Sequence, residues 1–285
     1  MNLAIVTTSF RRDLGRCRLL CKSIDKYVPS TVEHYLIIDR RDVPLFKFLE
    51  TPRRKILVAE DMLPKWLFKM PLSKRWWLSY KSFPVRNWIL QQILKLSVSE
   101  FIDSDVYMFV DSDVFFIKEI PVDLFLKNDK VRLFRVPNSG KGQRHLQWHQ
   151  SAGRLLGLEP KDYYGSDYIG NMITWRRDVL RKLHKHITAQ SGKQWQLSLA
   201  RTLHFSEYIL YGIYSEHILG QQAGHFHDDK DLCHCSWHYQ IDSPKDLGNF
   251  LDDLSDEHIA ILVQSSHGLD VAAYSDILKS RSLIG

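Results

Sequence analysis

The first 137 residues alternate between short apolar runs and stretches with helical spacing, and few folds accept that rhythm. "LAIVTT" (3–8) has strand length, and "LGRCRLLCKSIDKY" (14–27) repeats apolar residues every three or four positions. "EHYLIID" (33–39) and "RKILVAE" (54–60) are two further strand-length runs. "PVRNWILQQILKLS" (84–97) returns to helical spacing with Pro84 at its start, and "VYMFVD" (106–111) and "KVRLFRVP" (130–137) follow as strands. Such alternation predicts an α/β fold: a mostly parallel sheet with helices on both faces. Ligands bind these sheets beyond the carboxyl ends of the strands. Thr7 to Phe10, Asp39 and the pair Asp111/Asp113 all fall at such ends and are expected to converge on one cleft.

Residues 138–285 are less regular. "NSGKGQRHLQWHQ" (138–150) has the composition of a polar, basic, mobile loop. "SDYIGNMITWRRDVLRKLHKHI" predicts a strand and then a helix from about Arg177, and "FSEYILYGIYSEHIL" (205–219) a helix. "HIAILVQSS" (258–266) predicts a strand, with "AAYSDILKS" as a last helix.

The stretch "YMFVDSDVFFI" (107–117) sets two carboxylates, one residue apart, into a dense apolar run. In a strand, alternate side chains share a face, so Asp111 and Asp113 can point the same way. Two bare carboxylates that close repel each other and resist burial. A divalent cation between them removes the difficulty; hard oxygen ligands suit Mg²⁺ or Mn²⁺, which also take substrate phosphate oxygens. The competing reading is a turn held by Asx hydrogen bonds. The apolar residues that resume at Val114 favour the metal.

The chain has 285 residues, 44% of them apolar, enough for a sizeable core. No Pro/Gly/Ser linker or repeat divides it, so one domain is expected. No run approaches the roughly 18 apolar residues of a membrane helix. The N-terminus enters a strand at once, without a leader pattern, so a cytoplasmic protein is expected. Four cysteines fit a reducing compartment; Cys233 and Cys235, near His225, His227, His234 and His238, are a weak zinc pattern. The net charge of +6 is unevenly placed. No acidic residue lies between Asp61 and Glu100, where Lys65, Lys69, Lys74, Arg75, Lys81, Arg86 and Lys95 interleave with Trp66, Phe68, Trp76, Trp77, Tyr80, Phe83 and Trp88. That mixture suits nucleic acid, an anionic membrane surface or a phosphorylated ligand, or else a basic rim on a partly buried region. No nucleic-acid motif accompanies it, so nucleic acid is not an expected partner. Gln91 and Lys95 lie at i and i+4 on one helix face, apart from the apolar face of Val85, Ile89, Ile93 and Leu96.

Four segments, "IVTTSFRRDLGRCRLLCKSI", "WILQQILKL", "FVDSDVFF" and "FSEYILYG", resemble the GT-A-fold glycosyltransferases, in particular a bacterial family of nucleotide-sugar transferases. The resemblance implies a GT-A fold, a Rossmann-like α/β sheet, with residues 1–137 binding the nucleotide-sugar and 138–285 the acceptor. It implies Mn²⁺ or Mg²⁺ on Asp113 and Asp111, and nucleotide contacts from Thr7, Thr8, Phe10 and Ser112. Asp39 would accept from the base's imide N–H, and Gln91 and Lys95 would reach the ribose and diphosphate. A histidine would complete the metal shell: His234 first, His267 second, with His225, His227 and His238 as further candidates. Glu207 would be the general base of an inverting transfer from a UDP-sugar to a glycan or lipid-linked glycan of the bacterial surface. Independently of the resemblance, the basic-aromatic segment 62–88 is expected to lie beside the acceptor site and to touch an anionic membrane or a lipid-linked acceptor.

Two other readings remain at this point. "FVDSDV" also suits the nucleophile strand of haloacid-dehalogenase-type phosphohydrolases, with Asp111 attacking phosphorus and "FHDDKD" (226–231) as the second acidic cluster. A non-catalytic nucleotide-sugar-binding module would use the same cleft without turnover.

Overall fold

The computed structural model describes residues 1–69, 76–264 and 271–281. The first half gives strand β1 (Leu3–Ser9), helix α1 (Leu14–Tyr27), β2 (Glu33–Ile38), β3 (Arg54–Val58), α2 (Asn87–Phe101) and β4 (Val106–Phe109). Then come β5 (Val114–Phe116), β6 (Lys130–Phe134), α3 (Gln143–Leu156), β7 (Ile173–Arg176) and α4 (Arg177–Ser191). The chain continues with α5 (Glu207–Ile213), β8 (His225–Asp228), β9 (Cys233–Cys235), α6 (Pro244–Asp252), β10 (Ala260–Leu262) and α7 (Val271–Ser280).

The central sheet has the order β7-β4-β1-β2-β3. Its first-half strands run parallel, and β7 joins β4 antiparallel. Strand parity sorts the side chains into two cores. Ala4 and Val6 face the cluster of α2, whereas Leu3 and Ile5 face α1 through Leu20 and Ile24. Helix α2 is buried on nearly every side, polar Gln92 and Lys95 included, as befits a helix between the sheet and the rest of the core.

The structure departs from the sequence-based expectation at three places. The helix expected from Pro84 begins at Asn87, because Val85 and Arg86 first pair with Trp77 and Trp76 in a small antiparallel ribbon. The run 130–137 breaks: Lys130–Phe134 leaves the main sheet to pair with β8, and Val136–Pro137 pairs with Ser166–Asp167. Most of the loop expected at 138–150 is helix α3, which buries Trp148, His149, Ser151, Ala152 and Leu156 and ends where Gly157 turns left-handed at φ +66°. Among the described residues, no helix is long and apolar enough to cross a membrane.

Candidate active site

Beyond the carboxyl ends of β1 and β4 lies a cleft of about 360 Å³. Its floor is Thr8, Phe10, Asp13, Asp111, Ser112 and Asp113; α2 supplies Trp88, Gln91, Gln92 and Lys95. The far wall is Trp148 and Ile169 with Ser206, Glu207 and Tyr208 at the start of α5. Parity explains the floor. Thr8 continues the face of Ala4 and Val6, and Asp111 that of Tyr107 and Phe109.

Thr7 is the other parity and does not reach the cleft. It is fully buried toward α1, where its hydroxyl lies 3.1 Å from His34 Nε2. Asp39 lines an adjoining cavity of about 460 Å³ with Arg11, Arg12, Arg41, Asp42 and Asn87; Phe10 belongs to both. Its carboxylate is paired with the Lys69 ammonium and, at 3.4 Å, with Arg41.

Lys95 does not project as a free polar stripe. Its ammonium donates to Tyr208 Oη at 2.8 Å and Asp111 Oδ1 at 3.4 Å, and lies 3.3 Å from Glu207 Oε1. Burial works against that charge, but Asp111, Tyr208 and Glu207 outweigh it, so its pKa stands well above the ordinary lysine value. Burial pushes the Glu207 carboxyl up from its ordinary range, and Lys95 opposes the shift only in part. Gln92, absent from the expected set, accepts the Glu207 backbone N–H through Oε1 at 2.9 Å and so fixes the start of α5. Burial likewise raises the Asp13 carboxyl, against Arg16 and Arg12.

The histidine expected to complete a metal shell is not brought here. His234 shares its face of the β9-β10-β5 sheet with Ile261 and Phe115, which pack into the core of α6 and α7. Its ring stacks on Phe250 at 4.2 Å, and Nε2 lies 2.8 Å from the Phe250 carbonyl. His225 is held by Tyr211 Oη and the Val131 carbonyl, each at 2.9 Å; His227 lies 3.4 Å from Glu216; His238 is exposed. His267 lies outside the described residues. Among the described residues, no three His, Cys, Asp or Glu groups are close enough to hold one ion, which also removes the zinc pattern at Cys233 and Cys235. A Mg²⁺ or Mn²⁺ that keeps several waters and takes substrate phosphates needs only one or two carboxylates. Asp111 and Asp113 fit that requirement without a histidine.

The second acidic cluster of the phosphohydrolase reading is not at this cleft either. Asp228 accepts from buried Arg132 at 2.8 Å in the β6-β8 sheet, and none of residues 226–231 lines the Asp111 cleft.

A family model described as a family of unknown function (DUF6492) matches residues 2–274. No curated protein matches the sequence. Among solved structures, the crystal structure of an active-site mutant of LgtC, a GT-A glycosyltransferase, is similar over 97% of this chain and 95% of that one, with a TM-score of 0.52 and 12% identity. That likeness gives the fold class: α/β of the GT-A type, with a parallel-rich central sheet flanked by helices.

Proposed function

The chain belongs to DUF6492, a family of unknown function, and we propose that it is a metal-dependent glycosyltransferase that moves a sugar from a nucleoside-diphosphate sugar, by default a UDP-sugar, to an acceptor hydroxyl. One observation carries the reading. A single cleft at the strand carboxyl ends gathers the Asp111-Ser112-Asp113 turn, the nucleotide-side residues Thr8 and Phe10, and a buried carboxylate, Glu207, on the facing wall.

Asp111 and Asp113 would hold Mg²⁺ or Mn²⁺, which when bound would neutralise the diphosphate leaving group. Ser112 and Gln91 line the donor path, and Asp39, in the adjoining cavity across Phe10, would exchange its Lys69 and Arg41 pairing to accept from the base. Trp88 and Trp148, stacked at 5.8 Å, give the cleft apolar walls for the sugar and acceptor rings. The acceptor oxygen attacks the anomeric carbon, the bond from that carbon to the diphosphate oxygen breaks, and the hydroxyl proton passes to Glu207. Attack opposite the leaving group inverts the configuration. A carboxyl whose pKa is raised by burial suits a base that must take a proton near neutral pH. Lys95 spans half-exposed Asp111 and buried Glu207 and keeps both carboxylates oriented. Residues 1–137 then form the donor half and 138–285 the acceptor half, the acceptor being a glycan or lipid-linked glycan of the bacterial surface.

The test is a panel of nucleotide-sugars with and without Mn²⁺, read by melting temperature and by product. A ligand that binds only the folded state raises the melting temperature by mass action. The expected result is an Mn²⁺-dependent shift with one donor, followed by release of its nucleoside diphosphate when acceptor is added. Release of inorganic phosphate alone would restore the phosphohydrolase. A shift without turnover under every acceptor would leave a binding module.

A further inference from the structure

The small antiparallel ribbon of Leu67–Lys69, Trp76–Ser79 and Val85–Arg86 has two faces fixed by its register. Leu67, Trp77 and Val85 share one face and are buried in the α2 core. Phe68, Trp76, Leu78 and Arg86 share the other, where Phe68 is 46% and Trp76 38% exposed. The turn that follows carries Tyr80 and Phe83, 69% and 83% exposed. This turn is not frayed. Ser79 Oγ accepts the backbone N–H groups of Lys81 and Ser82 at 3.1 and 2.8 Å, and the Arg201 guanidinium donates to the Lys81 carbonyl at 2.6 Å. The aromatic side chains are therefore displayed by a held backbone. Around them stand the exposed cations Lys65, Lys81, Arg86 and Arg201, the Arg86 guanidinium 5.4 Å from the Trp76 ring. No acidic residue occurs between Asp61 and Glu100.

We propose that this ribbon and its turn dock the protein on an anionic lipid bilayer, with Phe83 and Tyr80 entering the interface, Trp76 and Phe68 at headgroup level and the cations on lipid phosphates. Aromatic rings with a polar edge settle at the bilayer–water boundary, and basic residues beside them gain from the negative surface potential. A bilayer is one surface on which both components gain. A second copy of the chain would set like charges against each other across a two-fold axis. Single-stranded nucleic acid calls for a groove that tracks its backbone, whereas Tyr80 and Phe83 project from a turn. The inference rests on this surface and not on the glycosyltransferase reading.

The experiment is co-sedimentation with vesicles of phosphatidylcholine alone or in equal parts with phosphatidylglycerol, at low ionic strength and at about 1 M salt, where the Debye length is only about 3 Å. The protein should pellet with the anionic vesicles at low salt only. Replacing Tyr80 and Phe83 together by serine should weaken the partition more than about tenfold. Lys81→Glu and Arg86→Glu should each weaken it about fivefold or more. Circular dichroism confirms that the variants fold, and their Mn²⁺-dependent nucleotide binding, measured without vesicles, should be unchanged. No binding of the folded protein to anionic vesicles at low salt would overturn the proposal. So would variants that pellet like the parent, or retention of a single-stranded oligonucleotide with no retention of vesicles.

Discussion

The two walls of the cleft are built in opposite ways. The floor comes from strand ends of the first half, where the Asp111 side chain is 48% exposed. The facing wall comes from α5 in the second half, where the Glu207 side chain is 6% exposed and its charge is offset by Lys95. A half-exposed carboxylate in contact with water can exchange its partners for an arriving cation. A buried carboxylate is costly unless it is paired, and the pairing then holds it in one place. The first wall is suited to recruiting a charged ligand, the second to holding a reactive group in a dry position.

Asp113→Asn breaks the first wall and carries the largest expected effect. It should abolish Mn²⁺-dependent binding of the nucleoside diphosphate while the melting temperature without ligand stays close to that of the parent. Calorimetry that finds the same metal-dependent affinity would remove Asp113 from the metal site.

Glu207→Gln breaks the second wall and leaves Lys95 its partners Asp111 and Tyr208. Loss of a general base costs about 10²–10⁴-fold in rate, and donor affinity should survive because the amide faces the acceptor side. Product NMR should show the anomeric configuration opposite to that of the donor. Retention of configuration, or transfer near the parent rate, would leave Glu207 as a buried ion-pair partner of Lys95 and nothing more.

The two walls were also unequally legible in the sequence. β1, α1, β2, β3 and β4 announce themselves because each is an apolar run or stripe of the right period, and Asp111 and Asp113 stand out against such a background. Helix α3 did not, because two of its buried positions, His149 and Ser151, are polar types and its approach holds Gly140 and Gly142. Trp148 was lost with it, although Gly157 offered a C-terminal signal. Gln91 and Lys95 were legible as polar positions on α2, but two of the partners of Lys95, Glu207 and Tyr208, lie 112 and 113 residues away, beyond any periodicity. Gln92 carries no signal in the sequence, because its role depends on the backbone of Glu207. His234 failed for a related reason: composition marks a histidine, and only the register of β9 against β10 says which way it faces.

Acid should act on both halves, and by a smaller amount. Burial, as the main cause, holds His149, His184 and His225 of the second half down to about 4, and it holds His34 of the first half well below its ordinary value too. Unfolded, each titrates near 6.5. Between those values the unfolded chain binds more protons than the folded one, so stability is full above about pH 6.5 and declines as pH falls toward 4. The combined loss should be on the order of a few kcal/mol. Denaturant midpoints across that window check it. A flat stability profile would contradict the assignment.

The smallest effect lies within one strand, at neighbouring threonines. Arg54 Nε is always a donor, and it lies 3.0 Å from His34 Nδ1, so that nitrogen must accept. The His34 proton is then on Nε2 and is donated to Thr7 Oγ1 at 3.1 Å. Burial, with Arg54 and Arg53 adding to it, keeps the ring neutral, far below the usual histidine pKa. Thr7→Val keeps the shape and leaves that buried N–H without an acceptor, at a cost of about 1–3 kcal/mol. Nucleotide affinity should not change, because Thr7 faces α1. Thr8→Val should do the reverse: stability within about 0.5 kcal/mol of the parent, as for a change away from the core network, and weaker donor binding. Urea titration and calorimetry on the two variants read both quantities. If Thr7→Val weakens the donor and Thr8→Val does not, the parity that separates the network beneath the sheet from the cleft above it is wrong.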